Sequence, residues 1–355
     1  MSQLVENVVE GVSVGHNYRR SDNTHEHMGH DALQMNVLVI VSVDWQTSWN
    51  LESDVGSWKR IIMNIFGNAL KYTTSGFVRI SLRANTISAD SSRPSQQVVT
   101  LQIEDSGKGM SQDYLRHGLF TPFTQEDPHA VGTGLGLSIV RQLVVDLRGE
   151  IDVHSEVGYG TTVNVSVPIG PPSKPQATTI HENSSFIKEI KTRCHRLKLC
   201  FIGFEYYPDI AETPNGLLSA HARCILAMKE SLTAMAADWF GLEVTTASCA
   251  DSANGDILMG LRSKSSLLKS NRVSIPPSII FEDITAGDDI GSGNGVVSLS
   301  QPYALNCFLC IAYSFTSLHT LPDFSLPDSD QHSMLTHFQC WSSQASENLG
   351  AVFGL

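Results

Sequence analysis

Three polar side chains recur at helical spacing in the segment "VGSWKRIIMNIFGNALKYT" at 55–73. Asn64, Asn68 and Lys71 are related by i, i+4 and i+7, so they share one face of a helix. An amide oxygen is a ligand that Mg²⁺ accepts, and an ammonium group neutralises phosphate charge. The spacing therefore predicts a site for phosphate groups and a hard cation, with an ordinary solvated helix face as the alternative.

Two glycine clusters follow this segment, "DSGKGM" at 105–110 and "GTGLGL" at 132–137. Asp105 ends an alternating strand, where its carboxylate can accept a hydrogen bond from an exocyclic amine. Gly107 and Gly109 would let the backbone approach a flat ring, although a plain β-turn is the alternative. The second cluster precedes a predicted helix, whose first amides and positive end can hold phosphates. Each cluster alone is a weak signal, but their order after the polar helix is specific.

The periodicity of the surrounding sequence predicts the elements that position these residues. A β-branched run and four alternating stretches predict strands, at 35–45, 77–84, 98–105, 150–156 and 161–169. An amphipathic helix is predicted over 135–149. The stretch "GPPSKPQATT" is typical of a linker. We therefore predict a first domain over 1–170 and a linker over 171–195.

The second half of the chain begins with a strand, a long helix and another strand between 197 and 247. This order favours an α/β unit. Two further strands are predicted over 276–283 and 295–302. We predict a second α/β domain over 196–302 and a poorly determined tail over 303–355.

Composition excludes several classes of function. The chain has 355 residues and a formal net charge of −12, which argues against nucleic acid or an anionic membrane surface as the main partner. Seven cysteines at wide spacings indicate reduced thiols, and Cys307 and Cys310 are interpreted as buried thiols rather than metal ligands. The start of the chain lacks the pattern of a secretion signal, and no apolar run is long enough to cross a bilayer. We predict a soluble, cytoplasmic protein.

The region 55–169 resembles the ATP-binding catalytic domain of sensor histidine kinases, within the GHKL group that includes gyrase-type and chaperone ATPases. "NIFGNALKYT" is similar to the N box of that family, "DSGKGM" and "GTGLGL" to its two glycine boxes, "LFTPFTQED" to its F box, and "GYGTTVNVSVP" to its closing strand motif. The sequence of residues 58–77 resembles that of fungal hybrid histidine kinases. The resemblance implies an α/β sandwich, in which helices cover one face of a mixed sheet and ATP binds between the helices and a lid.

The resemblance also implies roles for individual residues. Asn68 would coordinate Mg²⁺, and Asn64 and Lys71 would contact the phosphates as the catalytic residues. Asp105 would recognise the adenine amine with help from Thr161. The implied nucleotide site comprises Asn64, Asn68, Lys71, Tyr72, Asp105, Gly107, Gly109, Phe123, Gly132, Thr133, Gly134, Leu135, Gly136, Leu137 and Thr161.

The chemistry implied is phosphoryl transfer in a two-component phosphorelay. Hydrolytic relatives place a glutamate one turn before the metal-binding asparagine, and Asn64 stands at that position and cannot act as a general base. "HEHMGH" at 25–30 is the only approximate match to a phosphoacceptor motif, and we reject His25 because the motif lacks its proline and lies too close to Asn64. His25, His27 and His30 are also interpreted as a solvated loop rather than a Zn²⁺ site.

The acceptor histidine is therefore expected outside this chain, on a dimerisation hairpin that acts in trans. "LVENVVEGVSVGH" resembles the segment that follows such a hairpin, so the chain is expected to begin where the dimerisation domain would have ended.

The second domain resembles a receiver in the order of its elements. Glu205, Asp209 and Asp283 are candidates for its acidic cluster, but Gln301 stands where a receiver has lysine. A degenerate receiver is therefore predicted.

Three functions follow from these interpretations. The first is a histidine-kinase-type phosphotransferase of two-component signal transduction that uses ATP and Mg²⁺. The alternatives are a non-catalytic ATP-binding scaffold left from a hybrid kinase and, less favoured, a GHKL ATPase.

Overall fold

The computed structural model describes residues 1–24, 37–46, 49, 51–87, 96–127, 132–169, 191–192, 194–204, 218–261, 266–269, 276, 278–281 and 296–299. Several predictions fall outside these residues: those on His25, His27, His30, Glu205, Asp209, Asp283, Gln301, Cys307 and Cys310, and on the tail 303–355. Across the described part of the chain, no helix has both the length and the apolar character needed to span a membrane.

The elements form two units along the chain. The first unit contains α1 (Ser2–Thr24), β1 (Val37–Val43), α2 (Val55–Tyr72), β2 (Gly76–Ile87), β3 (Gln96–Asp105), α3 (Gln112–His117), α4 (Gly136–Asp146), β4 (Glu150–Glu156) and β5 (Gly160–Ile169). The second unit contains β6 (Lys198–Ile202), α5 (Ala220–Ala234), β7 (Glu243–Ala247), β8 (Ile257–Leu261), β9 (Ser278–Phe281) and β10 (Val296–Leu299). A π-helical turn, Met235–Trp239, extends α5.

The strands of the first unit form a mixed sheet in the order β1-β2-β3-β5-β4. β1 and β2 run parallel, whereas the other neighbours are antiparallel. The register between β3 and β5 places Asp105 opposite Thr161. Two residues that are far apart in sequence therefore lie side by side at one end of the sheet.

Helix α2 forms because its N-terminus is capped and one of its faces is apolar. The Asp54 carboxylate accepts hydrogen bonds from the N–H groups of Gly56 and Ser57, which satisfies two otherwise unpaired donors. The buried residues of α2 are Trp58, Ile61, Ile62, Ile65, Phe66, Ala69 and Leu70. Burying each of the large side chains contributes about 1.5–3 kcal/mol. The helix is therefore fixed against the sheet and α1, and its polar face is held in place.

The second unit is built on a parallel sheet in the order β10-β9-β8-β6-β7. Counted along the chain within this unit, the order is 2-1-3-4-5, which is the order of flavodoxin-like doubly wound sheets. Strand β8 was not predicted from the sequence. All five of its residues are buried, and such a short apolar run has no alternation to reveal it.

The two units share one core, because α5 packs on β1 and β2. Trp239 Nε1 donates a hydrogen bond to the Val43 carbonyl at 2.8 Å, and Arg79 pairs with Glu230 of α5 at 3.0 Å. Phe77 and Val78 point to opposite faces of β2, and both are fully buried. The sheet therefore carries helices on both faces at its β1 and β2 end, where the resemblance implied one covered face.

Candidate functional site

The polar face of α2 meets the second glycine cluster. Asn64 Oδ1 lies 2.9 Å from the point where a side chain on Gly136 would begin, and Asn64 Nδ2 donates to the Arg60 carbonyl at 2.8 Å. Lys71 Nζ lies 3.3 Å from the corresponding point on Gly132. A side chain at Gly136 would displace the Asn64 amide. The structure thus brings Asn64, Lys71 and this cluster together.

The C-terminal end of α2 meets the first glycine cluster. The Lys108 N–H donates to the Tyr72 carbonyl at 3.2 Å. A Cβ on Gly107 would lie 2.5 Å from that carbonyl oxygen, 2.8 Å from Thr73 Oγ1 and 2.9 Å from Asp105 Oδ1. Only glycine therefore fits at Gly107. The helix α2, with its C-cap Thr73, therefore contacts both glycine clusters: Asn64 and Lys71 lie at the second cluster, and Tyr72 and Thr73 lie at the first.

Asp105 is buried because it is in phase with the apolar face of β3, on the same side as Leu101 and Ile103. Its carboxylate accepts hydrogen bonds from the backbone N–H groups of Gly107, at 2.8 Å, and Thr161. Burial raises the pKa of Asp105 to about 6, and the two N–H donors oppose that rise. Asp105 is therefore mainly ionised at neutral pH, but it loses its charge in mildly acidic solution.

Two threonines complete this end of the site. Thr161 Oγ1 lies 2.9 Å from Ser155 Oγ, which in turn donates to the Gly160 carbonyl. Thr73 is 2% exposed, and its Oγ1 has no hydrogen-bond partner among the residues that the structure describes. A buried hydroxyl without a partner is costly, so it marks a place for a polar group of a ligand or a water molecule. Thr73 is not among the predicted site residues, although it directly follows Lys71 and Tyr72 in the N-box-like motif.

The stretch that contains Phe120 and Phe123, which the resemblance implies is the mobile ATP lid, lies on the exposed side of the site. The Phe123 N–H donates to the Gly134 carbonyl at 3.1 Å, and Gln125 Nε2 donates to the Gly132 carbonyl at 2.6 Å. Phe123 itself is 76% exposed and has a φ of 63°, which is unusual for a bulky side chain. The Phe123 backbone is therefore hydrogen-bonded to the second glycine cluster. The Phe123 ring is exposed to solvent and does not pack with the side chains of α2.

The remaining predicted residues are placed as follows. Gly109 has a φ of 67°, and a Cβ there would lie 1.9 Å from the Glu156 carbonyl oxygen. Glycine is therefore required at this position, because the backbone passes too close to β4 for a side chain. Asn68 is half-buried one turn after Asn64. Leu135 precedes α4 and Leu137 lies in its first turn, both half-buried, whereas Thr133 is exposed. Tyr72 Oη accepts a hydrogen bond from Lys71 Nζ at 2.8 Å.

A separate cavity of about 330 Å³ lies at the junction of the two units. It is lined by Asp44, Trp45, Gln46, Ala84, Asn85, Lys191, Ala237 and Asp238. None of the predicted site residues is among them.

The profile of a family described as "Histidine kinase-, DNA gyrase B-, and HSP90-like ATPase" matches residues 53–171. This segment belongs to that ATPase family. We call residues 53–171 the ATPase domain. It contains α2, both glycine clusters and Thr161. The prediction of a GHKL catalytic domain of the histidine kinase type is therefore confirmed for this part of the chain, and with it the type of fold and the ATP-binding class of the domain.

Curated relatives of the ATPase domain are sensor kinases. The chain is 30% identical over 149 residues to the sensor protein EvgS of Escherichia coli K12. The aligned region covers 41% of this chain and 12% of EvgS. The chain is 33% identical over 123 residues to the autoinducer 2 sensor kinase/phosphatase LuxQ of Vibrio vulnificus, covering 34% of this chain and 14% of LuxQ. A hybrid signal transduction histidine kinase of Dictyostelium discoideum is 35% identical over 119 residues, covering 32% of this chain and 6% of that protein. The chain thus spans a small part of each relative.

A solved structure shares the fold over most of the chain. Full-length ShkA, crystallised in complex with AMPPNP, matches with a TM-score of 0.53 at 17% sequence identity. The match covers 91% of this chain and 57% of the ShkA chain. At this level of identity the likeness concerns the fold alone.

Proposed function

We propose that the ATPase domain binds Mg·ATP and transfers its γ-phosphate to a histidine that lies outside residues 53–171. The observation that carries this proposal is the contact of α2 with both glycine clusters: Asn64 at Gly136, Lys71 at Gly132, and Thr73 beside Gly107. An elongated ligand with a flat base and a charged tail suits this arrangement. Asp105 would hold the base, and the polar face of α2 would hold the phosphates.

The donors at the phosphate end fit a magnesium nucleotide. Asn68 offers one amide oxygen, and Mg²⁺ usually takes few protein ligands and completes its octahedron with phosphate oxygens and water. Asn64 and Lys71 would orient and neutralise the phosphate oxygens from the same helix face. Bound Mg²⁺ would supply charge neutralisation for the leaving ADP.

The transfer step requires little covalent chemistry from this domain. The acceptor imidazole nitrogen forms a bond to the γ-phosphorus while the bond from that phosphorus to the β,γ-bridging oxygen breaks, and ADP leaves. Asn64 cannot remove a proton from water, which disfavours hydrolysis. The protein therefore contributes positioning and electrostatic stabilisation.

We further propose a phosphorelay context, in which the acceptor lies on a dimerisation hairpin that can act in trans. The second unit is proposed to be a degenerate receiver. Its 2-1-3-4-5 strand order supports this interpretation, and the glutamine at 301 disfavours phosphoryl acceptance.

Binding is tested by titrating a fluorescent ATP analogue into the full chain with and without Mg²⁺. Asn68→Ala should weaken binding by about 10- to 100-fold in the presence of Mg²⁺ and should remove the benefit of the metal. Asp152→Ala, which removes an exposed carboxylate of β4, is the matched control and should bind like the wild type. Equal affinity of Asn68→Ala and wild type would refute the assignment.

Transfer is tested by incubating the chain with radiolabelled Mg·ATP and a separate hairpin fragment that carries an acceptor histidine. We expect acid-labile label on the fragment, and none with Asn68→Ala. Nucleotide binding without label would favour the scaffold alternative. Steady release of inorganic phosphate that Asn68→Ala abolishes would instead favour an ATPase.

A further inference from the structure

The first turns of α5, in the second unit, lie against the base end of the proposed nucleotide site. Arg223 Nη2 donates a hydrogen bond to the Tyr159 carbonyl at 2.6 Å. Its guanidinium lies 3.7 Å from the centre of the Tyr159 ring and 5.8 Å from that of Phe77. Ala220 reaches within 3.6 Å of the point where a side chain on Gly76 would begin. Arg223 is therefore held against the first unit by a hydrogen bond to Tyr159 and by cation–π contact with the Tyr159 and Phe77 rings.

Tyr159, whose carbonyl Arg223 binds, lies two residues before Thr161, the residue whose N–H donates to the Asp105 carboxylate. Tyr159 belongs to the turn before β5, which is fixed by a hydrogen bond from the Gly158 N–H to the Lys108 carbonyl at 2.8 Å. A Cβ on the next residue, Gly160, would lie 2.0 Å from the Asp105 carbonyl oxygen. The residue after that is Thr161, whose N–H binds the Asp105 carboxylate. A shift of the Tyr159 carbonyl would therefore also move the Thr161 N–H, two residues later, which orients the Asp105 carboxylate.

The charge of Arg223 acts on the same carboxylate. Burial is the largest influence on Asp105 and raises its pKa, and the Glu104 carboxylate raises it further. The Arg223 guanidinium opposes both and favours the ionised form. Glu104 is itself paired with Arg79. Among the charged groups that face Asp105, Arg223 is the cation that the second unit contributes.

We propose that Arg223 is a positioning residue for base recognition, through which the docked second unit controls the nucleotide affinity of the ATPase domain. This inference rests on the proposed function, because it concerns the same nucleotide. It goes further in assigning a role to α5, which lies outside the family match. If the second unit undocks, the Tyr159 carbonyl loses its donor and Asp105 loses a neighbouring cation.

The test is a titration of the full chain with a fluorescent ATP analogue and Mg²⁺ at several pH values between 5.5 and 8. For Arg223→Ala we expect affinity at pH 7 to fall about fivefold, at the lower end of measured couplings between sites. Wild-type affinity should decrease as pH falls through the Asp105 pKa of about 6. In Arg223→Ala the midpoint of that decrease should move to higher pH, because a cation that favours the carboxylate has been removed.

Two variants separate the charge of Arg223 from its hydrogen bond. Arg223→Lys keeps the charge without the planar guanidinium, so it should restore the wild-type midpoint but only part of the affinity. Arg223→Gln keeps an N–H donor without charge and should show the shifted midpoint. These two are also informative if Arg223→Ala fails to fold. Glu230→Gln is the matched control, because it removes the ion pair of α5 with Arg79 and leaves the Arg223 contacts in place.

The outcomes distinguish this inference from the proposed function. Absence of nucleotide binding by the wild type would overturn the proposed function itself. Wild-type binding with unchanged affinity and midpoint in the Arg223 variants would overturn only the role of Arg223. Equal weakening in Arg223→Ala and Glu230→Gln, with one common midpoint, would reduce Arg223 to an ordinary interface side chain and also overturn it.

Discussion

The two ends of the proposed nucleotide site differ in how firmly the protein holds them. At the base end, Asp105 is 8% exposed, two backbone donors fix its carboxylate, and a neighbouring turn touches both units. At the phosphate end, Phe123 is 76% exposed, and Lys71, Gly132 and Thr133 are also exposed. The base end is buried and held by hydrogen bonds, whereas the phosphate end is exposed.

This difference suggests a division of labour. A base has a fixed shape, so a rigid and buried partner can select it without further rearrangement. Phosphates must be enclosed for transfer and released afterwards, which requires a segment that can move. The same comparison predicts that substitutions at the base end change stability strongly, and that substitutions at the lid change it little.

The largest effect is expected for Gly160→Ala. Its φ is 132°, and a Cβ would lie 2.0 Å from the Asp105 carbonyl oxygen, so backbone must shift. We expect a loss of about 4 kcal/mol in the free energy of unfolding, measured with urea, or failure to fold. Gly158→Ala is the matched control in the same turn, because its φ is 79° and nothing lies within 4 Å. It should lose only about 1 kcal/mol. Similar losses for both variants would contradict a tightly packed base end.

An intermediate effect is expected for Asp105→Asn without nucleotide. The folded pKa of Asp105, about 6, lies above its usual value of 3.8, so its ionisation opposes folding as pH rises through this window. The free energy of unfolding of the variant, minus that of the wild type, should therefore increase by roughly 2 kcal/mol between pH 4 and pH 7. Urea unfolding at several pH values measures this difference. A difference that does not vary with pH would mean that Asp105 has an ordinary pKa.

The smallest effect is expected at the lid. Asn tolerates the left-handed backbone of Phe123 better than phenylalanine does, and the exposed ring contributes little packing. Phe123→Asn should therefore raise the free energy of unfolding by about 0.5 kcal/mol. Phe120→Asn is the opposite case, because the Phe120 ring packs against Arg141 and its loss should destabilise. A clear destabilisation by Phe123→Asn would show that the lid ring has a partner in the folded state.

The strands of the first unit and the site on α2 could be predicted because their signals are local. Spacing alone places Asn64, Asn68 and Lys71 on one helix face, and alternation places Asp105 at the end of a strand. The glycine clusters add positions where only a missing side chain permits contact, as at Gly107 and Gly136. The roles of these residues in binding and transfer stay predictions.

What the sequence did not predict depends on tertiary contact. Helix α1 was interpreted as a segment that follows a hairpin, and β8 is too short and apolar to show a period. Thr73 was missed because the cost of its buried hydroxyl becomes visible only once its surroundings are known. Arg223 belongs to no motif, since its partners Tyr159 and Phe77 lie more than 60 positions earlier in the chain.

Helix α5 has a practical consequence for recombinant fragments. The family match begins at residue 53, downstream of β1, and ends at residue 171, upstream of α5. A fragment cut at these limits would lose an edge strand and uncover the Phe77 face of β2, which exposes unpaired backbone and apolar surface to intermolecular strand addition. An expressed fragment should therefore start upstream of Val37 and continue past Trp239. The family match omits β1 and α5, which cover the edge and one face of the sheet in the folded protein.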